Sequence, residues 1–485
     1  MSDILVHACI HATRNHSGTL TPRAMNPPTV QGKKATVVGG ARSGRAVAQL
    51  LAERGAAVFL TERGPATRGL PDSLDDAGIA YEFEGHTTRA FDADFVAISP
   101  GVPTQSNVVR QARRAGLPIY SEIEVASWFC DAPIVAITGT NGKTTTTSLA
   151  GHVFRTAWAD DSDRSVIVAG NIGYPFSDYV RDARPSDLVV LEVSSFQLDH
   201  VDTFHPRVSV VLNITPDHLN RYDHDFNAYA QAKFNIFQNQ EEGDIVVYNH
   251  DDRFVREYMM HQQQTRTFRA MGISRSTAVD AGGFVHDDAF VLRMGDATDD
   301  ASLMPTDALS LPGPHNQYNA LAVAVAARAQ GVSRDAIREG LSTFDGVPHR
   351  LESVRTVRGV EYVNDSKATN VRAVWYALRS FDRPLVLIAG GRDKGNDYAE
   401  LTPLVREHVR AVVALGESAD TVYRELGAAA CNRVRARSME DALETARDAA
   451  APGDVVLLSP ACASFDMYES YEERGDTFRR LVNNL

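Results

Sequence analysis

The chain is short of cysteine, of positive charge and of long apolar runs. Four cysteines occur in 485 residues, Cys9, Cys130, Cys431 and Cys462, and no two form a Cys-x-x-Cys pair. That spacing argues against a zinc site and a disulfide framework, and it fits a reducing compartment. No apolar run approaches the ~18 residues of a spanning helix, so no membrane insertion is expected. Basic residues number 49 against 62 acidic ones, a net charge of −13. Broad nucleic-acid binding needs clustered Lys and Arg to neutralise phosphates, so no nucleic-acid partner is expected. Low-complexity tracts and internal repeats are absent as well. The apolar run at 4–10 contains His7 and follows Asp3, whereas a secretory signal wants a basic start and a longer apolar core. Residues 1–32 read as a poorly ordered extension, with Met25 an alternative start.

What is present is an ordinary globular composition, 44% hydrophobic and 23% charged, in a chain long enough for about three domains. Short apolar runs alternate with helical stretches, the pattern of parallel α/β units. The first unit, 33–121, offers strands at 35–39, 57–61 and 94–98 and a helix at 44–54. The second, 122–346, follows a connector at 121–133 and opens on a strand at 133–138. It continues with strands at 187–193, 207–214 and 244–248, hairpin insertions within 278–300 and an Ala-rich helix at 316–330 that Gly331 ends. The third, 347–485, has strands at 361–363, 384–389, 411–415 and 454–458.

The strongest motif is the apolar strand that runs into Gly139-Thr140-Asn141-Gly142-Lys143-Thr144-Thr145 and then a helix. Glycines let backbone N–H groups curl around phosphate oxygens, and the helix N-terminus adds partial positive charge. Lys143 would reach the β/γ-phosphates and the Thr144 hydroxyl would ligate Mg²⁺. The loop is shorter than the usual phosphate-loop spacing, because the outer glycine would fall at Ile137. Its plain alternative is a tight strand–helix turn.

Weaker signals surround it. Gly39-Gly40-Ala41-Arg42-Ser43-Gly44 is a degenerate dinucleotide fingerprint, and Glu62 ends the next strand where a ribose-binding acid would sit. It fits a nucleotide diphosphate or a packing turn. Glu192 closes an apolar run and could hold Mg²⁺ beside the phosphate loop or be a solvated strand-end glutamate. His218 is a candidate metal ligand, a nucleotide contact or a structural histidine. Lys233 alone is an unremarkable helix lysine. Asn316 and Asn319 share a helix face, suited to adenine or to a cap. Arg350 could clamp phosphate. The polar run 364–370 between a strand and a helix reads as a ligand-facing loop.

Together these residues resemble the Mur ligase family over roughly residues 35–485. The family's shared set is matched at 139–144, Glu192, Asp217-His218, Asn316/Asn319 and His349-Arg350. Asn364-Asp-Ser-Lys-Ala-Thr-Asn370, Ser459-Pro-Ala-Cys-Ala-Ser464-Phe465-Asp466 and Ser-Ser-Phe-Gln-Leu at 194–198 pick out the D-glutamate-adding branch. The resemblance implies three α/β domains: N-terminal Rossmann-like for a UDP-linked substrate, a central P-loop ATPase-like parallel sheet for ATP, and C-terminal Rossmann-like for the amino acid. It implies a cytoplasmic, monomeric ligase of peptidoglycan synthesis acting on UDP-N-acetylmuramoyl-L-alanine, D-glutamate and ATP. An acyl phosphate would be its intermediate.

By matching position, Lys143, Glu192, His218 and Lys233 would be catalytic. Thr144, Glu192, His218 and Lys233, the last as its carbamate, would organise Mg²⁺. Ser43, Thr61, Glu62, Arg63, Asn171 and His218 would meet the UDP substrate. Gly139 to Thr145, Asn316, Arg350 and Asp365 would meet ATP. Thr369, Lys394, Ser464, Phe465 and Tyr471 would form the D-glutamate pocket, with Ser464–Phe465 opening a helix and a hinge near 346–348. Tyr471 stands where an apolar aromatic is usual, and the N-terminal extension has no family counterpart. Folylpolyglutamate synthase shares the ATP domain but lacks a nucleotide-binding first domain. An NAD oxidoreductase sits poorly with the phosphate loop and Glu192, and a non-catalytic precursor sensor with intact Lys143, Glu192 and Lys233.

Overall fold

The computed structural model describes residues 29–67, 69–295, 300–393 and 395–485. Residues 1–28 of the expected extension and Lys394 of the expected amino-acid pocket lie outside the described residues. The chain forms two compact units. One runs to Leu309 and takes in Gln317–Thr343; the other comprises Ser310–Asn316 and Phe344–Leu485.

The first unit holds two sheets. Its five-stranded sheet is built from β1 (Lys34–Val38), β2 (Ala57–Thr61), β3 (Ala80–Glu82), β4 (Phe95–Ile98) and β5 (Ile119–Ser121), all parallel, in the order β3-β2-β1-β4-β5. Val38 is paired with both Thr61 and Ile98. The loops that begin at Gly39, Glu62 and Ser99 therefore leave one edge, at the point where strand order reverses. The helix Arg42–Glu53 buries Ala46, Val47, Leu50 and Leu51 at helical spacing. It approaches β1 closely because Gly44 has no side chain: a Cβ there would stand 1.7 Å from Gly39 O.

The second sheet contains β6 (Ile134–Thr138), β7 (Val166–Gly170), β8 (Leu188–Glu192), β9 (Val208–Val211), β10 (Ile245–Asn249), β11 (Arg269–Ser274), β12 (Gly282–His286), β13 (Ala289–Arg293) and β14 (Asp300–Pro305). Their order is β14-β13-β12-β11-β10-β9-β6-β8-β7. β6, β8, β9 and β10 are buried along their whole length, which is why they read as continuous apolar runs. The hairpin expected within 278–300 is β12–β13, antiparallel, with β14 added antiparallel at the edge. The connector at 121–133 contains a buried helix, Glu122–Ser127. Glu124 there accepts hydrogen bonds from the backbone N–H groups of Asp202, Thr203 and Phe204 at 2.8–3.0 Å and from Trp128 Nε1 at 2.8 Å. It ties the two sheets of this unit together.

The other unit carries β15 (Glu352–Val357), β16 (Val360–Asn364), β17 (Leu385–Ala389), β18 (Val409–Ala414), β19 (Asn432–Arg435) and β20 (Val455–Leu458), ordered β15-β16-β20-β17-β18-β19. All pairs are parallel except β15–β16. Leu458 is in register with Asn364 and Ile388, so the chain beyond β16, β17 and β20 emerges at one edge. One expectation is corrected. No helix opens at Ser464–Phe465: residues 464–467 form a turn in which Met467 N and Tyr468 N bond Ser464 O. The final helix starts at Tyr471, where the Ser470 hydroxyl caps Glu473 N at 3.2 Å. Serine three residues before glutamate is the stronger start signal.

Candidate active site

The phosphate-type loop leaves the buried end of β6, and its helix, Lys143–Ala157, begins one residue past Gly142. Gly142 has φ +86°, and a Cβ on it would stand 2.7 Å from Asn319 Oδ1, so both backbone and space demand glycine. The loop is braced from the chain after β9. Asn213 Oδ1 accepts from Asn141 N at 2.8 Å while its Nδ2 donates to Asn141 O at 3.0 Å. Thr140 Oγ1 accepts from Thr215 N at 3.0 Å and lies 2.9 Å from Tyr229 Oη. Lys143 curls back, donating from Nζ to Gly139 O and Thr140 O, each at 2.9 Å. Thr144 and Thr145 are buried in the first turn.

Two further predicted residues join this loop. Glu192, at the end of β8, is buried; its Oε1 accepts from Asn171 Nδ2 at 2.7 Å. Its Oε2 is buried without a hydrogen-bond partner. An unmatched buried acceptor costs on the order of 1–3 kcal/mol, and a hard cation is the group that suits it. Lys233, on the helix Phe226–Phe234, is 2% exposed and donates from Nζ to Gly139 O at 2.8 Å. Burial, and then the charge of Lys143, push its pKa well below the ordinary lysine value. Among the described residues no group of three or more His, Cys, Asp or Glu gathers. The set expected to hold Mg²⁺ includes one carboxylate and one histidine, too few to form such a group. Glu192 Oε2 is the observation that favours a cation here.

His218 stands further out. Its side chain is 57% exposed, 3.6 Å from Asp217 and edge-on to Phe196, with ring centroids 5.3 Å apart. Arg221 lies over the same Phe196 ring at 4.1 Å and donates to Pro100 O and Val102 O at 3.2 and 3.1 Å. It fastens the loop after β4 to the loop after β9. At the first sheet, Glu62 closes the glycine turn: Oε2 accepts from Gly40 N at 2.7 Å and Oε1 from Gly64 N at 2.9 Å. Burial opposes its ionisation, but these backbone bonds hold its pKa below the usual range. Ser43 is half-buried, Arg63 exposed and Thr61 fully buried.

In the other unit Asp365 sits just past β16. Ser459 Oγ donates to it at 2.8 Å and Leu351 N at 3.2 Å. Burial raises its pKa to about 7, although Ser459 and the Arg350 charge oppose the rise. Arg350 Nε is buried without a partner, while Asn316 donates from Nδ2 to Pro312 O at 2.6 Å. Ser464 is buried, Thr369 half-buried and Phe465 60% exposed. Tyr471 packs edge-on against His349, with Lys367 Nζ 5.3 Å from its ring.

Sequence reasoning missed Tyr229, Asn213 and Arg474. Arg474 is buried, donating from Nε to Ser366 Oγ at 3.0 Å and from Nη2 to Ser366 O at 2.8 Å. Its Nη1 has no partner. Nothing in its Glu-Glu-Arg-Gly setting marks it as buried.

Three family descriptions match the chain. MurD N-terminal domain covers residues 34–108, Mur ligase middle domain 137–327, and Mur ligase glutamate ligase domain 349–462. With the relatives below, they show that the chain belongs to the Mur ligase family. The UDP-N-acetylmuramoylalanine–D-glutamate ligase of Salinibacter ruber is 68% identical over 95% of this chain and all of its own length. The ligase of the same name from Chloroherpeton thalassium is 44% identical, again over 95% of this chain and all of its own. Among solved structures, UDP-N-acetylmuramate-alanine ligase from Thermotoga maritima shares the fold, with a TM-score of 0.57 and 19% identity over 93% of this chain and 99% of that one.

Proposed function

We propose that the chain joins D-glutamate to UDP-N-acetylmuramoyl-L-alanine at the expense of ATP, a cytoplasmic step of peptidoglycan synthesis carried out by a monomer. The 68% identity to a ligase of that name, over that ligase's whole length, carries the reading. A carboxylate is a poor acyl donor, so the substrate's carboxylate oxygen first takes the γ-phosphoryl group and ADP leaves. The amine of D-glutamate then attacks the acyl carbon, loses a proton, and phosphate departs. Lys143 and the N–H groups of the phosphate loop would offset the negative charge that gathers on the transferred group.

Thr144, Glu192, His218 and carbamylated Lys233 would hold Mg²⁺, which supplies further charge stabilisation. A buried, neutral Lys233 amine can add to CO₂ and release a proton, giving a metal-binding anion. Residues 33–121 would bind the UDP substrate, with Ser43, Thr61, Glu62 and Arg63, aided by Asn171 and His218. Residues 122–346 would bind ATP, with Asn316 and, from the next domain, Arg350 and Asp365. Residues 347–485 would bind D-glutamate through Thr369, Lys394, Ser464, Phe465 and Tyr471. The test is ATP-dependent phosphate release that requires the UDP substrate. Lys143→Ala and Glu192→Ala should each lower it by about 10²–10³ while the protein stays folded. Near-normal release in either variant would remove the phosphate-loop assignment.

A further inference from the structure

Beside the Glu62–Gly40 clasp, a second polar cluster surrounds the buried Thr61 at the end of β2. Thr61 Oγ1 lies 2.7 Å from Glu82 Oε1, 2.7 Å from His86 Nδ1 and 3.3 Å from Gly85 O. Hydrogen counting fixes the direction of each bond. Glu82 accepts from Thr87 N at 2.9 Å and Thr87 Oγ1 at 2.6 Å. Burial opposes its ionisation, but hydrogen bonds from Thr87 and Thr61 outweigh it and hold the carboxyl below its usual range. An ionised carboxylate has no proton to donate, so the Thr61 hydroxyl gives its one hydrogen to Glu82. Gly85 O also only accepts. The contact to His86 then closes only if Nδ1 donates. Burial pushes the imidazole pKa down, so the ring is neutral near pH 7 and Nε2 carries a lone pair.

Nε2 is thus a tautomer-fixed acceptor with no hydrogen-bond partner among the described residues. It belongs to the chain that follows β3, next to the turn at Glu62. In such sheets the diphosphate lies at the glycine turn and the nucleoside reaches toward the end of β2. Both Glu62 oxygens already hold backbone N–H groups, which leaves His86 Nε2 as an uncommitted acceptor at this corner. Uracil presents a donor at N3, whereas cytosine presents a lone pair there.

We propose that His86 Nε2 accepts a hydrogen bond from uracil N3–H and so selects uridine over cytidine in the nucleotide substrate. This rests on the ligase reading above. The experiment is inhibition of turnover by UDP and by CDP in wild type, His86→Phe and His86→Gln. Wild type should favour UDP by about tenfold or more, because CDP sets two acceptors face to face. His86→Phe keeps a ring but no acceptor and should bring the ratio within about twofold by weakening UDP, with the KM for ATP unchanged. His86→Gln, whose amide can present oxygen or nitrogen, should keep UDP and gain CDP. A wild-type ratio in His86→Phe with ATP kinetics intact would overturn the assignment. Should that variant not fold, an unchanged ratio in His86→Gln does the same. A wild type that turns over without preferring UDP also sinks the assignment and spares the ligase reading. If wild type releases no phosphate with UDP-N-acetylmuramoyl-L-alanine, the ligase reading falls, and calorimetric titration of UDP and CDP into the three proteins decides the role of His86.

Discussion

Lys143 and Lys233 both donate to the carbonyl of Gly139. Two ammonium groups share one acceptor poorly in a buried setting, and burial together with the Lys143 charge holds the Lys233 pKa well below the ordinary lysine value. The neutral amine is the form able to take up CO₂. Lys233→Arg should therefore lose turnover by at least about 10², although charge is retained, because a guanidinium cannot become a carbamate. A high-resolution map of the wild type should show three additional heavy atoms on Nζ. An active Lys233→Arg enzyme would contradict the role. Glu122 is the opposite case, a buried carboxyl outside the proposed chemistry. Burial raises its pKa from 4.5 to about 7, against hydrogen bonds from Ser177 N and Oγ. The unfolded chain loses this proton as pH passes ~4.5, while the folded chain keeps it until about 7. Stability therefore falls through that window as pH rises, by on the order of 2–3 kcal/mol. Glu122→Gln cannot titrate, so its melting temperature relative to wild type should climb between pH 5 and pH 8. A constant difference would show that Glu122 is already ionised when folded.

Strands buried on both faces were the most legible in the sequence; several short or edge strands were missed. β6, β8, β17 and β20 are buried throughout, and their uninterrupted Val, Ile and Leu runs gave boundaries within a residue or two. β3 and β5 are three residues each, and β19, Asn-Arg-Val-Arg, is mostly exposed at a sheet edge, so none shows a period to read. β7 escaped because it lies half-buried at the edge of its sheet. The connector at 121–133 looked like a linker because its buried face includes two glutamates. Glu122 and Glu124 are fully buried, and each is matched to backbone N–H groups contributed from far along the chain. No local pattern reports partners 55 or 78 residues away. The turn at 464–467 was mistaken for a helix for a related reason. Asp466 Oδ2 accepts from Glu417 N at 2.8 Å, a tie that only the folded sheet supplies.

At the scale of the molecule, the fold class and the phosphate-loop group were readable because glycine, lysine and threonine at a strand end have few other uses. Glu192 was found from its place at the end of an apolar run. Tyr229 and Asn213 brace the phosphate loop and Arg474 braces the loop after β16, with side chains common on any surface, so only the folded contacts reveal them. The proposed function turns on selection of D-glutamate as the amine. Its most direct measurement is phosphate release by the full chain with ATP, Mg²⁺ and UDP-N-acetylmuramoyl-L-alanine, supplied in turn with D-glutamate, L-glutamate and L-lysine. Release should be rapid with D-glutamate and slow with the other two; release as fast or faster with L-lysine would contradict selection of D-glutamate.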